Sequence, residues 1–99
     1  MFYVNSTLEI EGKVRKRDGT LFNPSGIRVF VTNPSGVTTT YIWGTDAALQ
    51  QAEDTSGDPI VGVFVLTYTP TQPGTYSYVF ESYGDFTSKT KNIFHVEKT

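Results

Sequence analysis

The stretch Ile27-Arg28-Val29-Phe30-Val31-Thr32-Asn33-Pro34-Ser35-Gly36-Val37-Thr38-Thr39-Thr40-Tyr41-Ile42-Trp43 decides the fold. On its first half Ile27, Val29 and Val31 alternate with Arg28, Phe30 and Thr32, and on its second half Val37, Thr39, Tyr41 and Trp43 share one side. A period of two with β-branched and aromatic residues is the pattern of a strand. The Asn-Pro-Ser-Gly between the halves suits a type I turn, with Asn first, Pro second and Gly fourth. The two halves are therefore expected to form an antiparallel hairpin.

The same alternation appears on both sides of that hairpin. Upstream, Leu8, Ile10, Gly12 and Val14 form a dry face against Glu9, Glu11, Lys13 and Arg15, and the run ends at the turn dipeptide Asp18-Gly19. Leu21-Phe22 then leads into the loop Asn23-Pro24-Ser25-Gly26. Downstream, Ile60, Gly62, Phe64, Leu66 and Tyr68 share one side and Val61, Val63 and Val65 the other, as in a central strand or one whose second face meets a partner. After the break at Pro70-Thr71-Gln72-Pro73-Gly74, Tyr76, Tyr78 and Phe80 alternate with Ser77, Val79 and Glu81 up to Tyr83-Gly84-Asp85. A last strand is expected from about Phe86 to Val96, with Ser88, Thr90, Phe94 and Val96 inward and Lys89, Lys91 and His95 outward.

The segment between Gly44 and Pro59 lacks this alternation. It reads as a long loop in which Ala47-Ala48-Leu49-Gln50-Gln51-Ala52 can form a turn or two of helix. Turns every 8 to 15 residues and no internal repeat predict an all-β sandwich of about seven antiparallel strands. The 99 residues fit one domain spanning 1–99, with residues 1–5 as a flexible N-terminus.

Composition excludes several classes. There is no cysteine, so disulfides, thiolate metal sites and a cysteine nucleophile are excluded together. A formal charge of −2 argues against general nucleic-acid binding. No apolar run approaches the ~20 residues of a membrane span, and no basic segment leads into an apolar one at the start, so the chain is expected to be made in the cytoplasm. His95 is the sole histidine and has no nucleophile signature near it, which reads as an exposed strand residue; no enzyme activity and no cofactor are expected. Glu53-Asp54-Thr55-Ser56-Gly57-Asp58 lacks the ligand spacing of a Ca²⁺ loop and reads as a solvated turn. Lys13, Arg15 and Arg17 share a face with Glu9 and Glu11. A first strand beside the last would add Lys89 and Lys91, in an edge of ion pairs.

Pro73-Gly74-Thr75-Tyr76-Ser77-Tyr78 resembles the opening of the sixth strand of immunoglobulin-like domains, and the resemblance makes Tyr76 the corner tyrosine that hydrogen-bonds back across the turn. Tyr78 then stands where antibody domains carry a cysteine, and Trp43 can supply the large central ring. More broadly, Arg17-Asp18-Gly19-Thr20, Asn23-Pro24, Val29-Phe30-Val31, Asn33-Pro34-Ser35-Gly36, Thr40-Tyr41, Gly62-Val63-Phe64, Pro73-Gly74-Thr75-Tyr76 and Tyr83-Gly84 are similar to small immunoglobulin-like proteins of tailed bacteriophages. Those proteins are encoded among head and head-to-tail junction genes. The resemblance implies a virion component that contacts neck, portal-associated or capsid proteins in several symmetric copies, with no nucleic acid or membrane as partner. A single bare domain fits that expectation, because a larger assembly then supplies copy number and symmetry.

Outward apolar residues are the candidate docking surface: Phe30, Ile42, Val61, Val63 and Val65. A fold-back of the loop 44–59 over this surface is the competing expectation. A different functional class, a carbohydrate- or receptor-binding adhesion module, would instead expose Tyr41, Trp43 and Tyr83 as a stacking platform.

Overall fold

A computed structural model describes residues 2–98. Eight strands follow in order: β1 (Phe2–Tyr3), β2 (Leu8–Lys13), β3 (Gly26–Thr32), β4 (Thr38–Ile42), β5 (Leu49–Glu53), β6 (Pro59–Tyr68), β7 (Gly74–Tyr83) and β8 (Ser88–Glu97). They form a five-stranded sheet in the order β1-β8-β7-β3-β4 and a three-stranded sheet in the order β2-β6-β5. All neighbours are antiparallel except β1, which runs parallel to β8. The orders β2-β6-β5 and β4-β3-β7-β8 are the two sheets of an immunoglobulin-like sandwich.

Three loops share one construction. At Asn33, Asp54 and Lys16 the N–H donates to the carbonyl four residues on, and the carbonyl accepts from the glycine three residues on, at 2.8 to 3.0 Å. Gly36, Gly57 and Gly19 take φ of 86°, 85° and 90°, the left-handed residue that closes a three-residue hairpin loop. Asn33 and Asp54 reinforce their loops identically, each Oδ1 accepting the N–H two and four residues on. The acidic segment 53–58 is thus the β5–β6 hairpin turn, and one Asp54 carboxylate oxygen is committed to turn amides.

The core lies between the sheets. Ile27, Val29 and Val31 of β3 face Phe64 and Leu66 of β6, with Leu8, Ile10, Leu49, Tyr76, Phe80 and Val96 completing it. β6 is the central strand of its sheet, covered inside by the core and flanked by β2 and β5. Aromatic rings fill both ends: Trp43 meets Phe64 edge-on at 4.9 Å, and Tyr76 stacks on Phe94 at 5.0 Å with Tyr68 against both.

Several expectations need correction. Leu49–Glu53 is a strand, not helix. Leu49 is fully buried opposite Leu66, and β6 needs a partner on that side, so tertiary pairing overrides the helix preference of Ala, Leu and Gln. Phe2–Tyr3, assigned to a flexible N-terminus, instead pairs with Val96 and Glu97, with Phe2 edge-on to Phe94 at 5.9 Å; Met1 lies outside the described residues. The last strand starts at Ser88 rather than Phe86, whose ring packs against Phe22 at 5.4 Å. Finally, the strand carrying Lys13 pairs with β6 and not with β8, so no strip joins Lys13 to Lys89 and Lys91.

Gly62 is irreplaceable by position. Its φ is 74°, and a Cβ there would sit 2.8 Å from the Phe22 nitrogen and the Val14 oxygen. Its carbonyl accepts from Val14 N–H at 2.8 Å and its N–H donates to Asn23 Oδ1 at 2.6 Å. This bulge ties the loop after β2 onto β6.

Candidate docking surface

The register of β4, β3, β7 and β8 builds the outer face of the larger sheet row by row. One row reads Ile42, Arg28, Glu81, Lys89; the next Thr40, Phe30, Val79, Lys91; the third Thr38, Thr32, Ser77, Ile93. Strand alternation sends these side chains away from the core. Ile93 is 64% and Ile42 37% exposed, while Phe30 and Val79 are half-buried by their neighbours on the sheet. The loop 44–59 forms β5 in the other sheet and leaves this face open.

The first row carries the electrostatics. Glu81 is buried although it points outward, because Arg28 hydrogen-bonds its Oε1 from one side and Lys89 Nζ lies 3.2 Å from its Oε2 on the other. Arg28, and then Lys89, hold the Glu81 carboxyl below its ordinary value of 4.5. The Arg28 guanidinium also lies over the Tyr83 ring, 4.7 Å from its centroid, and 5.7 Å from that of Phe30. Tyr83 in turn covers Gly26, its cross-strand partner, where any Cβ would collide with the ring. Arg28, Phe30 and Tyr83 form one ordered cluster with Ile42 and Val79 as cross-strand neighbours, and Ile93 stands two rows away on β8. Three cations (Arg28, Lys89, Lys91) on these rows stand with one carboxylate (Glu81), although the whole chain is acidic, and Glu97 adds a second carboxylate further along the outward phase of β8.

The five candidate residues do not form one surface. Phe30 and Ile42 lie on this face, one row apart on adjacent strands. Val63 and Val65 point from the outer face of the smaller sheet, across the sandwich: Val65 lies between Glu11 and Gln50, and Val63 is buried outside the core cluster. Val61, 49% exposed, lies in the same strand beyond the positive-φ Gly62, outside that alternation. Glu9, Glu11 and Lys13 share that second face. Sequence reasoning missed Arg28, Val79 and Ile93 and placed Tyr83 only in the aromatic platform; for Ile93 the signal was its place between Lys91 and His95 in the outward phase of β8.

The aromatic platform is not assembled. Tyr41 packs edge-on to Tyr68 and Trp43 to Phe64 on the core side, whereas Tyr83 lies under Arg28 on the outer side. Burial raises the Tyr41 and Tyr68 hydroxyl pKa values, as suits rings turned inward. His95 is exposed at the margin, with Nδ1 3.4 Å from Thr75 Oγ1 and Nε2 3.5 Å from Glu97. Tyr76 lies in the core, and its hydroxyl donates to the Gln72 carbonyl at 2.7 Å.

Among the described residues no group of three His, Asp or Glu side chains is placed to hold a metal ion. Comparison of the chain with family models, with curated proteins and with solved structures finds no match.

Proposed function

We propose that the chain is a non-enzymatic structural subunit that docks, in several copies, on the particle of a tailed bacteriophage, at the head-to-tail neck or on the capsid surface. The observation that carries the docking is the open outer face of the five-stranded sheet, with Ile42 exposed at one end of an ordered Arg28–Glu81–Lys89 row and Ile93 exposed two rows away on β8. Arginine and aromatic residues with apolar neighbours are the composition of interface centres. Its excess of cations suits an acidic partner surface, which would speed encounter and fix orientation. The phage assignment rests on the turn motifs described above, from Arg17-Asp18-Gly19-Thr20 to Tyr83-Gly84, and on their similarity to phage immunoglobulin-like proteins.

The test is retention on particles. Ile93→Asp and Phe30→Ser alter the proposed face, and Val61→Asp alters an exposed site in the other sheet. Each variant is first checked as folded by its thermal transition. The reading expects the first two to be lost from purified particles and Val61→Asp to be retained. Retention of all three would overturn the assigned face.

A further inference from the structure

The two sheets end at four strand edges, and three of them are guarded. β1 is two residues long. β2 carries Glu9, Glu11 and Lys13, and β5 ends in Glu53, where its register with β6 shifts after Gln51. Charges, bulges and short length are the usual protections of a sheet edge. β4 itself, from Val37 to Trp43, carries no charge and no proline, and Asp46 covers only its Ile42 end.

Two bonds fix which backbone groups of β4 are open. Trp43 N–H donates to the Ile27 carbonyl at 3.0 Å, and Asn33 N–H donates to the Val37 carbonyl at 2.9 Å. In an antiparallel ladder the odd residues of β4 therefore face β3, and Thr38, Thr40 and Ile42 turn their N–H and C=O to the free edge. Ile42 is already closed: its N–H donates to Asp46 Oδ2 at 2.7 Å and its carbonyl accepts from Asp46 N–H at 2.8 Å. Four groups stay open, those of Thr38 and Thr40.

We infer that this edge pairs with the β4 edge of a second copy of the chain, antiparallel about a two-fold axis through Thr39. That axis sets Thr38 opposite the partner's Thr40 and Thr40 opposite the partner's Thr38, so every open group on both chains finds a partner. An axis through Thr40 would instead place Thr38 opposite Ile42, whose groups Asp46 holds. The open edge is thus self-complementary in one register, as a two-fold interface requires. Two identical strands without charge bring no like charges together. Val37, 58% exposed in the monomer, comes to lie beside the partner's Tyr41. The inference does not rest on the phage reading, and it joins two outer faces into one ten-stranded sheet.

A seam this narrow lies below the ~1,200 Å² buried by stable complexes, so the dimer is weak, with a dissociation constant on the order of 0.1 to 1 mM. Within an assembly a high effective concentration would close it. Sedimentation velocity from ~10 μM to ~1 mM spans that range. The wild-type chain should move from monomer towards dimer across it, and amide exchange at Thr38 and Thr40 should slow as concentration rises. Thr38→Lys places a charge in the seam, and Thr40→Pro removes an outward N–H that β3 does not use. Both variants should stay monomeric with native thermal transitions, and Thr38→Lys alone decides the matter should Thr40→Pro fail to fold. A wild type that stays monomeric throughout, or a dimer that persists in Thr38→Lys, would overturn the inference. Neither result bears on whether Ile93→Asp leaves the particle.

Discussion

The Tyr76 hydroxyl and the Gln72 backbone close on each other twice: Oη donates to the Gln72 carbonyl at 2.7 Å and accepts from the Gln72 N–H at 3.3 Å. This strut spans the loop Pro70-Thr71-Gln72-Pro73-Gly74, while the ring is buried against Phe94. Tyr76→Phe keeps the ring and leaves the Gln72 groups with a poorer partner. The expected loss is about 1 kcal/mol, or roughly 4 to 8 °C in a thermal scan of a domain this size. Tyr76→Ala also opens a cavity and should cost about 3 to 5 kcal/mol.

Glu81 makes stability depend on pH in one direction. Its folded-state pKa is depressed by Arg28 and Lys89, so the folded state holds the carboxylate better than the unfolded chain does. The stabilisation is complete above the ordinary value of 4.5 and is lost as pH falls below it through the folded value. Glu81→Gln removes this dependence. Denaturant titrations of both proteins should show their stability difference widest near neutral pH and shrinking below 4.5.

Gly62 should tolerate no side chain. Gly62→Ala forces a Cβ onto Phe22 and Val14 backbone atoms at a φ of 74°. The expected destabilisation is at least ~2 kcal/mol, measured as a shift in the denaturation midpoint at unchanged slope. Gly36→Ala, with the same sign of φ but no atom within 4 Å of its Cβ, should cost less, about 1 kcal/mol.

Trp43 reports on the platform reading. Its ring meets Phe64 at 4.9 Å and is half-buried, so iodide should quench its fluorescence well below the extent seen for free tryptophan. Quenching close to the free value would place the ring in solvent and favour an exposed aromatic surface.

Much of the fold was legible because local chemistry and tertiary structure agree. The Asn33-Pro34-Ser35-Gly36 loop carries its turn type in its residues, and β6 shows two apolar phases because its inner face meets the core while Val63 and Val65 of the other phase are screened between the side chains of neighbouring strands. Leu49–Glu53 was illegible because its residues prefer helix and only pairing with β6 makes them a strand. The buried Glu81 was equally hidden: an outward Glu reads as solvated until the register places Arg28 and Lys89 beside it. The candidate surface was half legible for the same reason. Alternation turns Phe30 and Ile42 outward and leaves the phase of Val63 and Val65 open, and only the sheet order and register set these pairs on opposite sides of the sandwich.

The central claim concerns membership of a particle, and quantitative mass spectrometry of purified particles from the source of this chain tests it most directly. The account predicts the chain in a fixed ratio to the portal and major capsid proteins, a few to a dozen or so copies for a neck position and hundreds for the capsid shell. Its absence from particles that contain both reference proteins would contradict the account.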